Sequence, residues 1–162
     1  LGFAEKKLMA PRLHAGLLLL PILGSLTFTW NAQAGSSKNS NLTVEVDGLK
    51  NRNGQVCLRL FSSSKGFPEG DESIVRRECV KVTSVPLRVT FRDLKRGTYA
   101  VAVLHDANGD NKANRNFIGL PKEGFGFSRN PVVRMSPPKF DDVSFKVSGA
   151  NTSIQIQLQY VL

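Results

Sequence analysis

Several short segments of this chain alternate apolar and polar residues, and no segment beyond the N-terminal stretch makes a convincing amphipathic helix. Successive side chains of a strand point to opposite faces, so this alternation marks strands with one face in a core. Leu42, Val44 and Val46 alternate with Thr43, Glu45 and Asp47. In Gln55–Phe61, Val56, Leu58 and Leu60 share one face, while Cys57, Arg59 and Phe61 share the other. Leu87, Val89 and Phe91 alternate with Arg88, Thr90 and Arg92, and Ile154, Ile156, Leu158 and Tyr160 alternate with three glutamines.

Ser73–Val82, Tyr99–Val103 and Val143–Val147 complete a set of seven expected strands at short spacing, with no internal repeat. That pattern predicts an all-β sandwich. Between Asp93 and Val103 a turn closing on Gly97 is followed at once by Tyr99 and an alternating strand. Many sandwiches join their two sheets this way, with the tyrosine hydroxyl bonded back to the turn. Tyr99 is therefore expected to be a structural corner.

The front of the chain reads differently. Lys6, Lys7 and Arg12 precede an apolar run from Leu13 to Trp30, and Asn31-Ala32-Gln33-Ala34 follows. Basic region, apolar run and small residues before a cut after Ala34 form the secretory pattern, so residues 1–34 are expected to be a signal peptide. Met9 would open a more compact version of it. A retained membrane anchor is the alternative, although Pro21 and Gly24 interrupt a run already marginal for a span. Gly35–Asn41, rich in Ser and Asn, is expected to be a flexible tether. The sandwich domain then covers 42–162, and no transmembrane span remains after cleavage.

An exported address constrains what the charge and the cysteines mean. Without residues 1–34 the chain keeps nineteen Lys and Arg against twelve Asp and Glu. Its partners are then expected to be an anionic envelope polymer or another envelope protein in the periplasm or outside the cell, not nucleic acid. Cys57 and Cys79 are the only cysteines, each in a strand-like segment. In an oxidising compartment such a pair is most simply a disulfide between neighbouring strands, with two buried thiols as the alternative.

One stretch breaks the alternation. Roughly 38 residues separate the Tyr99 strand from the Val143 strand, far more than a hairpin needs, so 105–140 is expected to be a long loop insertion. Its first part places oxygen side chains at Asp106, Asn108 and Asp110, with the Lys112 carbonyl and Asn114 next in line. Oxygens at every second position can wrap a hard cation such as Ca²⁺, although Asn111 and Phe117 stand where an EF-hand has Gly and Glu. The alternative is a loop whose Asx side chains bond their own backbone. The second part, Gly119–Ser128, mixes glycines with Phe125 and Phe127. These rings either pin the loop as a small core or form a ligand-facing lip, with His105 and Glu123 as its polar contacts.

Taken together, these residues resemble the DUF2141 family of exported bacterial proteins. The resemblance lies in Gly97-Thr98-Tyr99-Ala100-Val101, in His105-Asp106-x-Asn108-Gly109, in Phe117-x-Gly119-x-Pro121-x-Glu123-Gly124-x-Gly126-Phe127-Ser128 and in Pro138-x-Phe140. The family pattern has Gly after the second aspartate and Asp near position 113, where this chain carries Asn111 and Ala113. The resemblance implies an Ig-like or transthyretin-like sandwich in the cell envelope and implies no reaction.

The expected function is a non-catalytic envelope or secreted binding module acting through the 105–128 loop, stabilised by calcium if that loop holds a metal. A purely structural domain of an envelope assembly is the second reading. A metal-dependent enzyme using His105, Asp106 and Glu123 is the third, and the chain has no nucleophile elbow or paired-histidine motif to support it.

Overall fold

A computed structural model describes residues 39–110, 112–118, 121–134 and 136–161. The chain divides into two units, Leu1–Ala34 and Gly35–Leu162. All the described residues belong to the second unit, and the expected signal peptide lies outside them. Among the described residues no helix is long and apolar enough to cross a membrane.

Among the described residues eight strands form two sheets. They are β1 (Asn39–Asp47), β2 (Gln55–Phe61), β3 (Ile74–Lys81), β4 (Leu87–Lys95), β5 (Gly97–Asp106), β6 (Gly124–Phe127), β7 (Phe145–Val147) and β8 (Asn151–Gln157). One sheet has the order β4-β1-β8. The other has the order β3-β2-β5-β6, with β7 also pairing β5. The alternating residues face one another across the sandwich. Leu42, Val44 and Val46 from the first sheet and Val56, Leu60 and Val101 from the second are fully buried in one core.

The chain passes from sheet to sheet between β4 and β5, at Arg96. There the Tyr99 hydroxyl donates to the Lys95 carbonyl at 2.7 Å, so Tyr99 is the expected corner. The last residues return the other way. Leu158 donates to the Asp47 carbonyl of the first sheet, and Gln159 and Phe125 exchange backbone hydrogen bonds with the second. This crossing closes one flank of the sandwich.

Three expectations change. The strand count is eight rather than seven, because the expected 105–140 insertion contains β6, whose residues all lie buried. Alternation failed to reveal it because Gly124 and Gly126 take the inward positions. A Cβ on Gly126 would lie 2.7 Å from Ile156, and one on Gly124 would lie 2.4 Å from the Tyr160 ring. Ile156 of β8 and the Tyr160 ring occupy the space that apolar side chains would otherwise fill.

Second, β1 begins at Asn39, inside the expected tether of 35–41. Parallel pairing of Asn41 with Asn151 of β8 fixes this polar start, and the buried Ser40 hydroxyl donates to the Gly149 carbonyl at 2.5 Å.

Third, Val143 is not in a strand. It ends a one-turn helix, α1 (Phe140–Val143), that buries Phe140 and Val143 while the Lys139 amide donates to the Asp142 carboxylate.

Candidate functional site

The outer face of the five-stranded sheet also carries apolar residues. β2 sets Cys57, Arg59 and Phe61 on that face, opposite Leu104, Ala102 and Ala100 of β5. β6 adds Phe127 beside Ala102 and Phe125 beside Leu104. A sheet with two apolar faces must be covered on both, and here the loops supply the second cover.

At one end of this face the cover is a packed core. Phe61, Ala100, Phe127, Phe140 and Val143 are buried together. Phe67, from the β2–β3 loop, meets Phe61, Phe127 and Phe140 edge-on at centroid distances of 5.0, 6.0 and 5.9 Å. Ser128 fastens the cover to the sheet. Its amide donates to the Val101 carbonyl, its hydroxyl accepts from the Val101 amide and donates to the Val143 carbonyl, and it is fully buried.

At the other end the cover comes from the described residues between β5 and β6, held by the carboxylates of Asp106, Asp110 and Glu123. Asp106 accepts from the amides of Gly109 and Asp110 and from the Gln55 side chain. Asp110 accepts from the Lys112 amide and from the side-chain amides of Asn108 and Asn114. The bond from Asn114, then that from the Lys112 amide, holds the Asp110 carboxyl below the usual carboxylate range. Glu123 reaches across the loop, accepting from Ala107 with one oxygen and from Asn114 with the other.

The structure therefore brings Asp106, Asn108, Asp110, Lys112 and Asn114 together as a set of Asx turns. Each of the three acidic side chains in or beside the loop accepts N–H groups, and among the described residues no three His, Cys, Asp or Glu side chains form a group able to hold a metal. The Asp106 and Asp110 oxygens that the sequence offered to a cation are engaged here by these N–H groups.

His105 is buried and faces the opposite side. Its Nε2 lies 2.9 Å from the Asn53 carbonyl, which can only accept, so Nε2 carries the proton. Its Nδ1 lies 2.9 Å from the Tyr160 hydroxyl. That hydroxyl in turn accepts from the Lys50 amide, and the Lys50 ammonium sits 4.4 Å over the Tyr160 ring. His105, Asp106 and Glu123 thus hold separate pieces of backbone in place and do not converge on an opening.

Between the two covers lies a half-open cavity of about 450 Å³. The Cys57–Cys79 disulfide forms part of its floor. These cysteines are directly opposed on β2 and β3, as the sequence suggested, and Cys79 is exposed. Ala102, Leu104, Phe125 and Phe127 continue the floor, and Ala113 and Pro121 of the long loop form one wall. Val133, Pro137 and Val161 form another. Of the four residues expected to face a ligand, Phe125 and Phe127 line this cavity; His105 and Glu123 do not.

Sequence reasoning missed the polar lining. Arg59, Arg77, Arg115 and Arg134 all border the cavity, with Glu69 as the only acidic residue among its lining. Arg115 pairs with the Glu69 carboxylate, and Arg59 donates to the Glu69 carbonyl at 3.0 Å. Arg77 pairs with Asp71 and holds that carboxyl below its usual range. Arg134 forms no hydrogen bond or ion pair with any described residue. The available signal was the shared face of Cys57, Arg59 and Phe61, too apolar for a strand face turned to water.

Residues 44–155 match the family described as uncharacterized protein conserved in bacteria (DUF2141). The chain belongs to the DUF2141 family. No curated protein and no solved structure matches it. Membership brings no activity with it.

Proposed function

We propose that this DUF2141 domain is a non-catalytic binding module of the cell envelope that takes a small ligand in the cavity over the Cys57–Cys79 bridge. The observation that carries this reading is the cavity itself. Its volume of about 450 Å³ falls in the range of small-molecule sites, roughly 300–1,000 Å³, and such sites combine a mainly apolar lining with a few placed polar groups. The roof comes from segments that the sandwich does not need for its own core. An exported address agrees with the exposed disulfide and with the secretory pattern that ends at Ala34.

The long loop enters this reading as a wall preformed by its own hydrogen bonds. Binding is therefore expected to be independent of calcium, with equal melting temperatures in EDTA and in millimolar calcium. The cavity reading is tested with Ala102→Trp and Leu104→Trp, which place an indole in the cavity. An environment-sensitive apolar dye should bind the unaltered protein and lose binding in both variants while their circular dichroism stays unchanged. Dye binding that survives in both variants would sink the proposal.

A further inference from the structure

The arginines around the cavity say what kind of small molecule it takes. Arg59 and Arg77 stand directly opposite each other on β2 and β3, one pair along from the disulfide on the same face. Like charges directly opposed across two strands destabilise the pair. Asp71 pairs with Arg77 and partly offsets this one. Arg115 reaches the same space from the long loop and Arg134 from the segment after β6. Four guanidinium groups thus border a cavity whose one lining carboxylate, Glu69, is already paired with Arg115.

Each guanidinium has five N–H donors in a planar fork. The single bond from Arg59 to the Glu69 carbonyl and the single ion pair of Arg77 hold these side chains in place. Both keep donors for another acceptor. Arginine forks match carboxylate and phosphate oxygens two at a time. The floor beneath them is sulfur, methyl and phenyl: Cys57–Cys79, Ala102, Leu104 and Phe125. A purely polar anion would leave that floor uncovered. A purely apolar ligand would cover it while stripping water from cations to which it offers no partner, at a cost in free energy.

We propose that the cavity binds a small amphiphilic anion, with its apolar body over the disulfide, Ala102, Leu104 and Phe125 and its carboxylate or phosphate head held by Arg59 and Arg77. This inference rests on the cavity reading above and names the ligand class for that site. The exposed Phe117 and Ile118 at the tip of the long loop lie outside the cavity lining and take no part in it.

The test is a calorimetric titration of the purified protein with four ligands sharing one ten-carbon chain: decanoate, decyl phosphate, decanol and decylamine, all below their aggregation limits. At least one anion should bind about tenfold or more tightly than decanol, the size of effect expected for hydrogen bonds to a charged group. Decylamine should bind more weakly than decanol. The better of the two anions separates a carboxylate source from a phosphate source. In Arg59→Gln/Arg77→Gln the anion should fall to the level of decanol, whose unchanged binding shows that the cavity is intact. Equal binding of anion and alcohol, or an anion unaffected by the double variant, would overturn the ligand class and leave the cavity reading standing. If none of the four binds and the dye is also indifferent to Leu104→Trp, the cavity reading itself fails.

Discussion

The two faces of the five-stranded sheet are built from the same strands yet are put to different uses. On the inner face every position is filled: Val56, Leu58, Leu60, Val101 and Val103 pack against the opposite sheet and are almost wholly shielded from water. On the outer face the packing is complete only around Phe61, Phe127 and Phe140, and it stops short over the disulfide. The sandwich is closed by its inner face alone. The outer face is therefore free to hold a cavity, provided that the loops roofing it are tied down by bonds of their own. Ser128, Asp106 and Glu123 supply those bonds.

If the inner face carries the stability, the largest loss should come from Leu60→Ala. A fully buried leucine truncated in a packed core costs about 2–5 kcal/mol. Its neighbour Arg59, on the outer face, should cost well under ~1 kcal/mol when changed to Ala. Urea denaturation of the two variants measures the contrast directly, and equal losses would erase it.

The disulfide is the outer face's own contribution to stability. Its partners are 22 residues apart. Changing both cysteines to serine should lower stability by roughly 3 kcal/mol, mainly because the unfolded chain regains the freedom of that loop. The same variant should weaken binding in the cavity, since it replaces part of the floor.

Ser128→Ala sharpens the comparison by loosening only the roof. It leaves the buried Val101 amide and Val143 carbonyl without the hydroxyl they share, a loss of about 1–3 kcal/mol. Hydrogen exchange should rise around 125–128 and 140–147 before it rises in β1 or β4.

The smallest effect belongs to the long loop and depends on pH. Asp110 has its carboxyl lowered below the ordinary value of 3.8 by hydrogen bonds from Asn114 and the Lys112 amide. A lowered folded-state value adds stability at pH above the unfolded one and gives it up as pH falls through the folded one. Asp110→Asn should therefore melt slightly earlier than the unaltered protein at pH 6, and the gap should close as pH falls below 3.8 and through the lowered folded-state value. A gap that persists at low pH would mean that the carboxylate does not organise the loop.

How far the sequence could be read varied from element to element. Where one face meets water and the other a core, as in Leu42–Val46 or Leu87–Phe91, alternation alone placed the strand. β6 escaped this reading because its inward positions are glycines, required by the close approach of Ile156 of β8 and of the Tyr160 ring, both far away in sequence. Asn39–Asn41 looked like a tether because their pairing with Asn151 leaves no apolar mark. His105 and Glu123 looked like ligand contacts because sequence lists polar groups without showing what already occupies them. The arginines of the cavity were visible one at a time. That they border one space follows only from the strand register and the path of two loops.

By itself, then, the sequence determined that this chain makes a β-sandwich with Tyr99 at its corner, and that the stretch from His105 to Ser128 is longer than a hairpin connection needs. Both follow from local rules, the two-residue period of a strand and the short loops of a compact domain. The tertiary structure decided what that stretch does. It turned Phe125 and Phe127 onto the outer face and bound Asp106 and Glu123 into the loop. It also opened a cavity over Cys57 and Cys79, because which side chains share a space depends on long-range pairing that no local pattern encodes.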